Sequence, residues 1–93
     1  MEVTDATFRP PFDGAGPEWV LEVEVAGSGF LHRAFPVVAR VGDVLVEQIM
    51  VDAGGERFVG LLRAFPNNGD RLQVGYLDTG LRDTDVVFQP PIA

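Results

Sequence analysis

Trp19-Val20-Leu21-Glu22-Val23-Glu24-Val25-Ala26 is the stretch that decides the fold. Trp19, Leu21, Val23 and Val25 alternate with Val20, Glu22, Glu24 and Ala26, so one face is apolar and the other carries carboxylates. A period of two marks a half-buried β-strand, because successive side chains leave a strand on opposite faces. A helix would need its apolar residues three and four apart. The same period returns at Phe35, Val37, Ala39 and Val41, at Phe58, Gly60 and Leu62, at Leu72, Val74 and Tyr76, and at Val86 and Phe88.

Turn signals separate these runs: Asp13-Gly14, Gly27-Ser28-Gly29, Gly42-Asp43, Gly54-Gly55, Asn67-Asn68-Gly69-Asp70 and Thr79-Gly80. Prolines flank the runs at Pro10-Pro11, Pro17, Pro36, Pro66 and Pro90-Pro91, as expected of a residue that cannot donate to a central ladder. The spacing predicts strands over 2–9, 18–26, 35–41, 44–51, 57–64, 71–77 and 84–89. No stretch of ten or more residues reads as an amphipathic helix. About seven short strands with regular turns predict an all-β, two-sheet sandwich forming one domain over residues 1–93, with a barrel as the structural alternative.

One segment breaks the alternation. Val44-Leu45-Val46 and Ile49-Met50-Val51 are apolar on both faces, interrupted only by Glu47-Gln48. Such a segment is either a central strand or one that crosses between sheets, or its outer face meets a partner or a second copy. On the last reading Val44, Leu45, Val46, Glu47, Gln48, Ile49 and Met50 form the contact, with Arg63 joining Glu47 and Gln48 at its rim. A tetrapeptide, Arg33-Ala34-Phe35-Pro36, recurs at Arg63-Ala64-Phe65-Pro66, with Gly-Asp-x-Leu following each copy. One copy opens a strand and the other closes one, which reads as coincidence rather than duplication.

The chemistry is defined by shortage. There is no cysteine and no lysine, Ser28 and His32 are the sole residues of their types, and seven arginines carry all the formal basic charge. Activated nucleophiles, positioned bases and thiolate metal sites need the residue types that are scarce here, so no enzyme activity, cofactor or metal is expected. A net charge of −7 disfavours the phosphate backbone of nucleic acid and the anionic membrane surface. No basic segment precedes an apolar run, so a cytoplasmic location is expected, or an extracellular one if this is an excised domain. The first strand starts almost at Met1, as in a complete small protein or a closely trimmed domain. Arginine as the only strong base hints at a GC-rich bacterial genome.

Three motifs invite chemistry. Leu77-Asp78-Thr79-Gly80 resembles the active-site loop of retroviral-type aspartic proteases, where two such loops share a proton across a dimer. Residues 81–93 are too few for the flap and barrel that follow that loop in those enzymes, so a turn is expected. Ser28 and His32 lack the elbow and the matched acid of a hydrolase. Asn67 to Asp70 and Asp78 to Asp85 offer oxygen ligands without an ordered calcium spacing. Loops 27–33 and 78–85 could still carry a carbohydrate- or calcium-dependent ligand site, with Trp19 and Tyr76 as aromatic candidates.

Residues 3–89 as a whole resemble the IPT/TIG type of immunoglobulin-like domain. The resemblance rests on Val3 to Pro11 as a first strand ending in prolines, and on Val23 to Phe30 as a strand followed by a Gly-x-Gly-Phe turn. It continues through Val38-Ala39-Arg40-Val41-Gly42 and the Pro66-to-Gly69 turn that leads into Asp70-Arg71-Leu72-Gln73-Val74. The antibody-type cysteine pair is absent, and Val74 stands in the tyrosine-corner slot. The resemblance implies an immunoglobulin-like fold used for adhesion, dimerisation, sugar contact or spacing. The expected function is a non-enzymatic interaction or assembly module, its partner another protein or a second copy in a homodimer.

Overall fold

A computed structural model describes residues 1–31 and 35–90. Within them lie β1 Glu2–Arg9, β2 Leu21–Ser28, β3 Val37–Val41, β4 Val44–Leu45, β5 Glu47–Val51, β6 Arg57–Leu62, β7 Arg71–Tyr76 and β8 Gly80–Val87. Two sheets of four form, in the orders β1-β2-β6-β5 and β4-β3-β7-β8, with every neighbouring pair antiparallel. These are the A-B-E-D and C′-C-F-G orders of an immunoglobulin-like sandwich, so the expected fold class holds and the barrel alternative does not. No helix among the described residues is long and apolar enough to cross a membrane.

The apolar phase of each strand builds the space between the sheets. Leu21, Val23 and Val25 of β2 are fully buried and meet Phe58 and Leu62 of β6 in register. The facing sheet contributes Val37, Ala39, Val41, Leu72 and Val74 to the same core. Two edge-to-face phenylalanine pairs pin it: Phe8 with Phe88 at 4.9 Å between ring centroids, and Phe30 with Phe58 at 5.0 Å. Each such pair adds about 0.5–1.5 kcal/mol beyond the area it buries.

Eight strands replace the seven expected, because residues 44–51 do not run as one. Val44 and Leu45 pair with Val41 and Arg40 across the Gly42-Asp43 turn, and the Val46 amide donates to Ala39 O at 3.0 Å. From Glu47 onward the chain pairs with β6 in the other sheet. Val46 is the crossing point and is 4 % exposed. The doubly apolar pattern therefore belongs to a segment that crosses between sheets. Gly60 makes room for the crossing, since a Cβ there would lie 2.2 Å from Val46 Cγ1 and 3.3 Å from Glu47 O. Gly60→Ala is expected to destabilise the fold by about 1–3 kcal/mol, read as an earlier urea midpoint at unchanged slope.

Other boundaries moved for local reasons. β2 starts at Leu21 and runs on to Ser28, because Gly27 and Ser28 pair with Val3 and Glu2 of β1. β8 begins at Gly80 rather than 84, since Gly80 already pairs with Tyr76 and the turn is only residues 77–79. β3 starts at Val37, and β6 and β7 stop at Leu62 and Tyr76.

Candidate functional site

The strand order sets two open edges on opposite sides of the sandwich. β4 and β5 end the two sheets on one side, and β1 and β8 end them on the other. On the first side the crossing leaves Leu45 54 % and Met50 71 % exposed, on either side of buried Val46. Val44, Glu47, Ile49 and Val51 are half-buried and Gln48 is exposed. Ile49 and Val51 pack inward against the core, so Met50 carries the outward apolar surface. Of the eight contact residues read from sequence, Val46 lies in the core and offers no surface.

Register places Met50 opposite Val59 on the outer face of the first sheet, with Glu24 next along that row and Thr7 at its end. The neighbouring row runs Glu47, Leu61, Glu22, Arg9. A shallow depression of about 330 Å³ opens beside Met50, with Val51, Phe58 and Val59 on its apolar side and Glu24 and Arg57 at its border. The edge itself is poorly shaped for strand addition. Pairing slips between Glu47 and Met50, and Gln48 adopts φ +53°, so its backbone groups do not form an even row.

The charges around this face are paired. Arg9 Nε donates to Glu22 Oε2 at 2.5 Å, and the Glu24 carboxylate lies 3.7 Å from Arg9 and 3.4 Å from Arg57. Arg63 Nε donates to Glu47 Oε2 at 2.8 Å, so the structure joins two of the predicted rim residues. The Arg63 guanidinium also sits 4.5 Å from the Trp19 ring, which is itself buried rather than a stacking platform. The hydrogen bond that Arg9 donates to Glu22 raises the Arg9 pKa above its ordinary value, with smaller help from charge attraction and against some desolvation. A raised basic group stabilises fully below its unfolded pKa and loses that support only as pH climbs past the folded one. For Arg9 both lie in strong alkali, so this contact is insensitive to pH near neutrality.

On the opposite side a cleft of about 430 Å³ separates the start of β1 from β8. Its lining includes Met1 and Val3 at the start of the chain, Val74 to Tyr76 of β7, and Thr79 and Arg82 to Asp85 beyond them. The Tyr76 hydroxyl donates to Gly29 O. Asp83 Oδ1 accepts from Gln73 Nε2 at 2.8 Å, while the Thr84 hydroxyl donates to Leu72 O and accepts from the Val86 amide. Part of this lining, Thr79 to Thr84, lies in the 78–85 stretch singled out from sequence. Tyr76 was legible as an aromatic candidate on the core phase of its strand, and Val3 carried no signal, because only the pairing of sheet edges brings β1 to β8.

The remaining motifs resolve into local structure. Asp78 and Thr79 occupy the exposed β7–β8 turn, where the Thr79 amide donates to Tyr76 O at 3.1 Å. Asn67 and Asp70 close a turn on each other, the Asn67 amide donating to Asp70 Oδ2 at 2.9 Å. Ser28 is the last, exposed residue of β2, while His32, Arg33 and Ala34 lie outside the described residues. Among the described residues no group of three or more His, Cys, Asp or Glu is placed to hold a metal ion. Comparison with protein-family models, with curated proteins and with solved structures yields no match.

Proposed function

We propose that this chain is a non-enzymatic assembly module of the IPT/TIG-like kind that associates with a second copy through Met50 and the face beside it. The observation that carries this reading is exposed Met50 beside half-buried Val59, bordered by paired charges in an acidic molecule. Around Val59 and Leu61, Arg9, Arg57 and Arg63 meet Glu22, Glu24 and Glu47. Asp52 adds one carboxylate at the depression, satisfied by the Glu56 and Arg57 amides, and most of the chain's −7 lies elsewhere. Two copies can thus approach on this face without the like-charge repulsion that other faces impose. The irregular β5 edge favours side-chain packing over a shared sheet.

Size permits it. The molecule's two larger extents are 36 and 28 Å, broad enough to supply the roughly 800 Å² per partner of a standard interface. Met50, Leu45 and the Val59 side chain would fill the partner's depression, and Arg57 could exchange Glu24 of its own chain for that of the other. Sedimentation velocity over a concentration series tests the reading. The wild-type chain is expected to show concentration-dependent dimer, and Met50→Glu to stay monomeric throughout with its thermal midpoint little changed, since the residue is 71 % exposed. A wild-type chain that sediments as monomer at every concentration sinks the second-copy reading.

A further inference from the structure

We infer that Met50 is a redox-sensitive modification site: a peroxide oxidises its thioether to the sulfoxide, and the sulfoxide releases the assembled pair. This rests on the assembly reading and adds the regulation of that same face. The chain holds two methionines and no cysteine, so thioethers are its only sulfur. A thioether needs no ionisation before it meets a two-electron oxidant, unlike a thiol, so exposure selects which methionine reacts.

Exposure singles out Met50. At 71 % it is the most exposed large apolar side chain among the described residues, against 45 % for Met1. Its neighbours Ile49 and Val51 pack inward against the core and leave it standing on the outer face. The two methionines lie at opposite edges of the first sheet, Met50 within β5 and Met1 just ahead of β1 at the cleft. An oxidant that reaches both therefore alters the assembly face at only one of them.

The step moves one oxygen atom. A sulfur lone pair attacks one peroxide oxygen, the S–O bond forms as the O–O bond breaks, and the other oxygen leaves with both protons as water. Sulfur gives up two electrons and the peroxide accepts them. No bond of the chain is cut, and methionine sulfoxide reductases return the thioether with electrons from a thiol.

The product puts a polar, chiral group where an apolar tip stood. In the assembled pair that group lies against Val59 and the apolar side of a depression formed by Val51 and Phe58. Its oxygen then needs a donor, and the arginines bordering the face are already engaged: Arg57 lies 3.4 Å from Glu24, Arg9 bonds Glu22, and Arg63 bonds Glu47. A buried acceptor left without a donor is unfavourable, and freeing an arginine breaks an ion pair. A twofold contact repeats the penalty on both sides. In the separate chain water satisfies the oxygen, so oxidation favours separation without unfolding. Assembly in turn covers the sulfur, so the reaction runs through the separate chain.

Sedimentation velocity of the full chain before and after graded hydrogen peroxide, with mass mapping of Met1 and Met50, is the test. Conversion of Met50 is expected to raise the dimer dissociation constant roughly tenfold or more while the thermal midpoint barely moves. Reductases for both sulfoxide epimers, with dithiothreitol, are expected to bring the dimer back. Met50 should also oxidise more slowly as the chain concentration rises through the dissociation constant, while Met1 reacts at one rate throughout. A chain equally dimeric before peroxide and with Met50 fully converted overturns this inference and leaves the assembly reading standing. A loss of dimer that follows Met1, or that reduction does not reverse, does the same. A chain that is monomeric before any peroxide is added overturns both.

Discussion

Replacing Phe58 by alanine is expected to lower the unfolding free energy by about 3–5 kcal/mol. Phe58 is 1 % exposed, sits in the middle of the first sheet opposite Val25, and meets Phe30 edge-to-face at 5.0 Å. Truncation removes the apolar burial, the ring pair and the support for Phe30, whose amide anchors the end of β2 to Gly55 O at 3.0 Å. A chain of 93 residues holds roughly 5–14 kcal/mol in total, so the loss takes from about a fifth of it to nearly all of it. Urea unfolding followed by far-ultraviolet dichroism gives the number, and Phe58→Leu should recover most of it by keeping the space filled. A loss below about 1 kcal/mol would mean that the two sheets do not close on this ring.

The sequence exposed the parts of this fold that obey one period. β1 lies at 2–9 as expected, and β2, β6 and β7 shifted by a few residues at their ends, because each alternates between a core face and a wet face. Two sets of boundaries escaped for physical reasons, although a crossing between sheets was among the readings of residues 44–51. Residues 44–51 mix the faces of two sheets, and only the pairing partner decides where one ends and the other begins. β8 starts with Gly80-Leu81-Arg82-Asp83, whose polar residues hide a strand that needs cover only from β7. The same blindness governs the two candidate sites. Met50 was legible as an apolar residue out of phase, and the Glu47–Arg63 pair as a rim. The cleft was half legible: residues 78–85 stood out by composition, but Val3 and Tyr76 join them only through the way the sheet edges stack.

Gly75→Ala is the second large effect, and it connects the fold to the cleft. Gly75 pairs with Leu81, and a Cβ on it would lie 1.8 Å from Gly80 O, 2.8 Å from Gly80 C and 3.3 Å from Leu81 Cα. Every one of those atoms is backbone, so no rotamer change relieves the clash and β7 and β8 must move apart. Overpacking usually costs about 1–3 kcal/mol, and a contact that the chain cannot sidestep belongs at or above the upper end. Gly69→Ala is the contrast: its Cβ meets nothing within 4 Å, and its φ of +89° leaves only the left-handed penalty of about 1–2 kcal/mol. The β7–β8 hairpin presents Tyr76, Thr79 and Arg82 to the cleft, so parting the strands displaces all of them at once. The expected result is a Gly75→Ala protein that remains folded in the absence of urea but unfolds at a clearly lower urea midpoint than Gly69→Ala. Equal stabilities for the two variants would show that the hairpin has slack and that β7 and β8 can part around the added methyl group without loss.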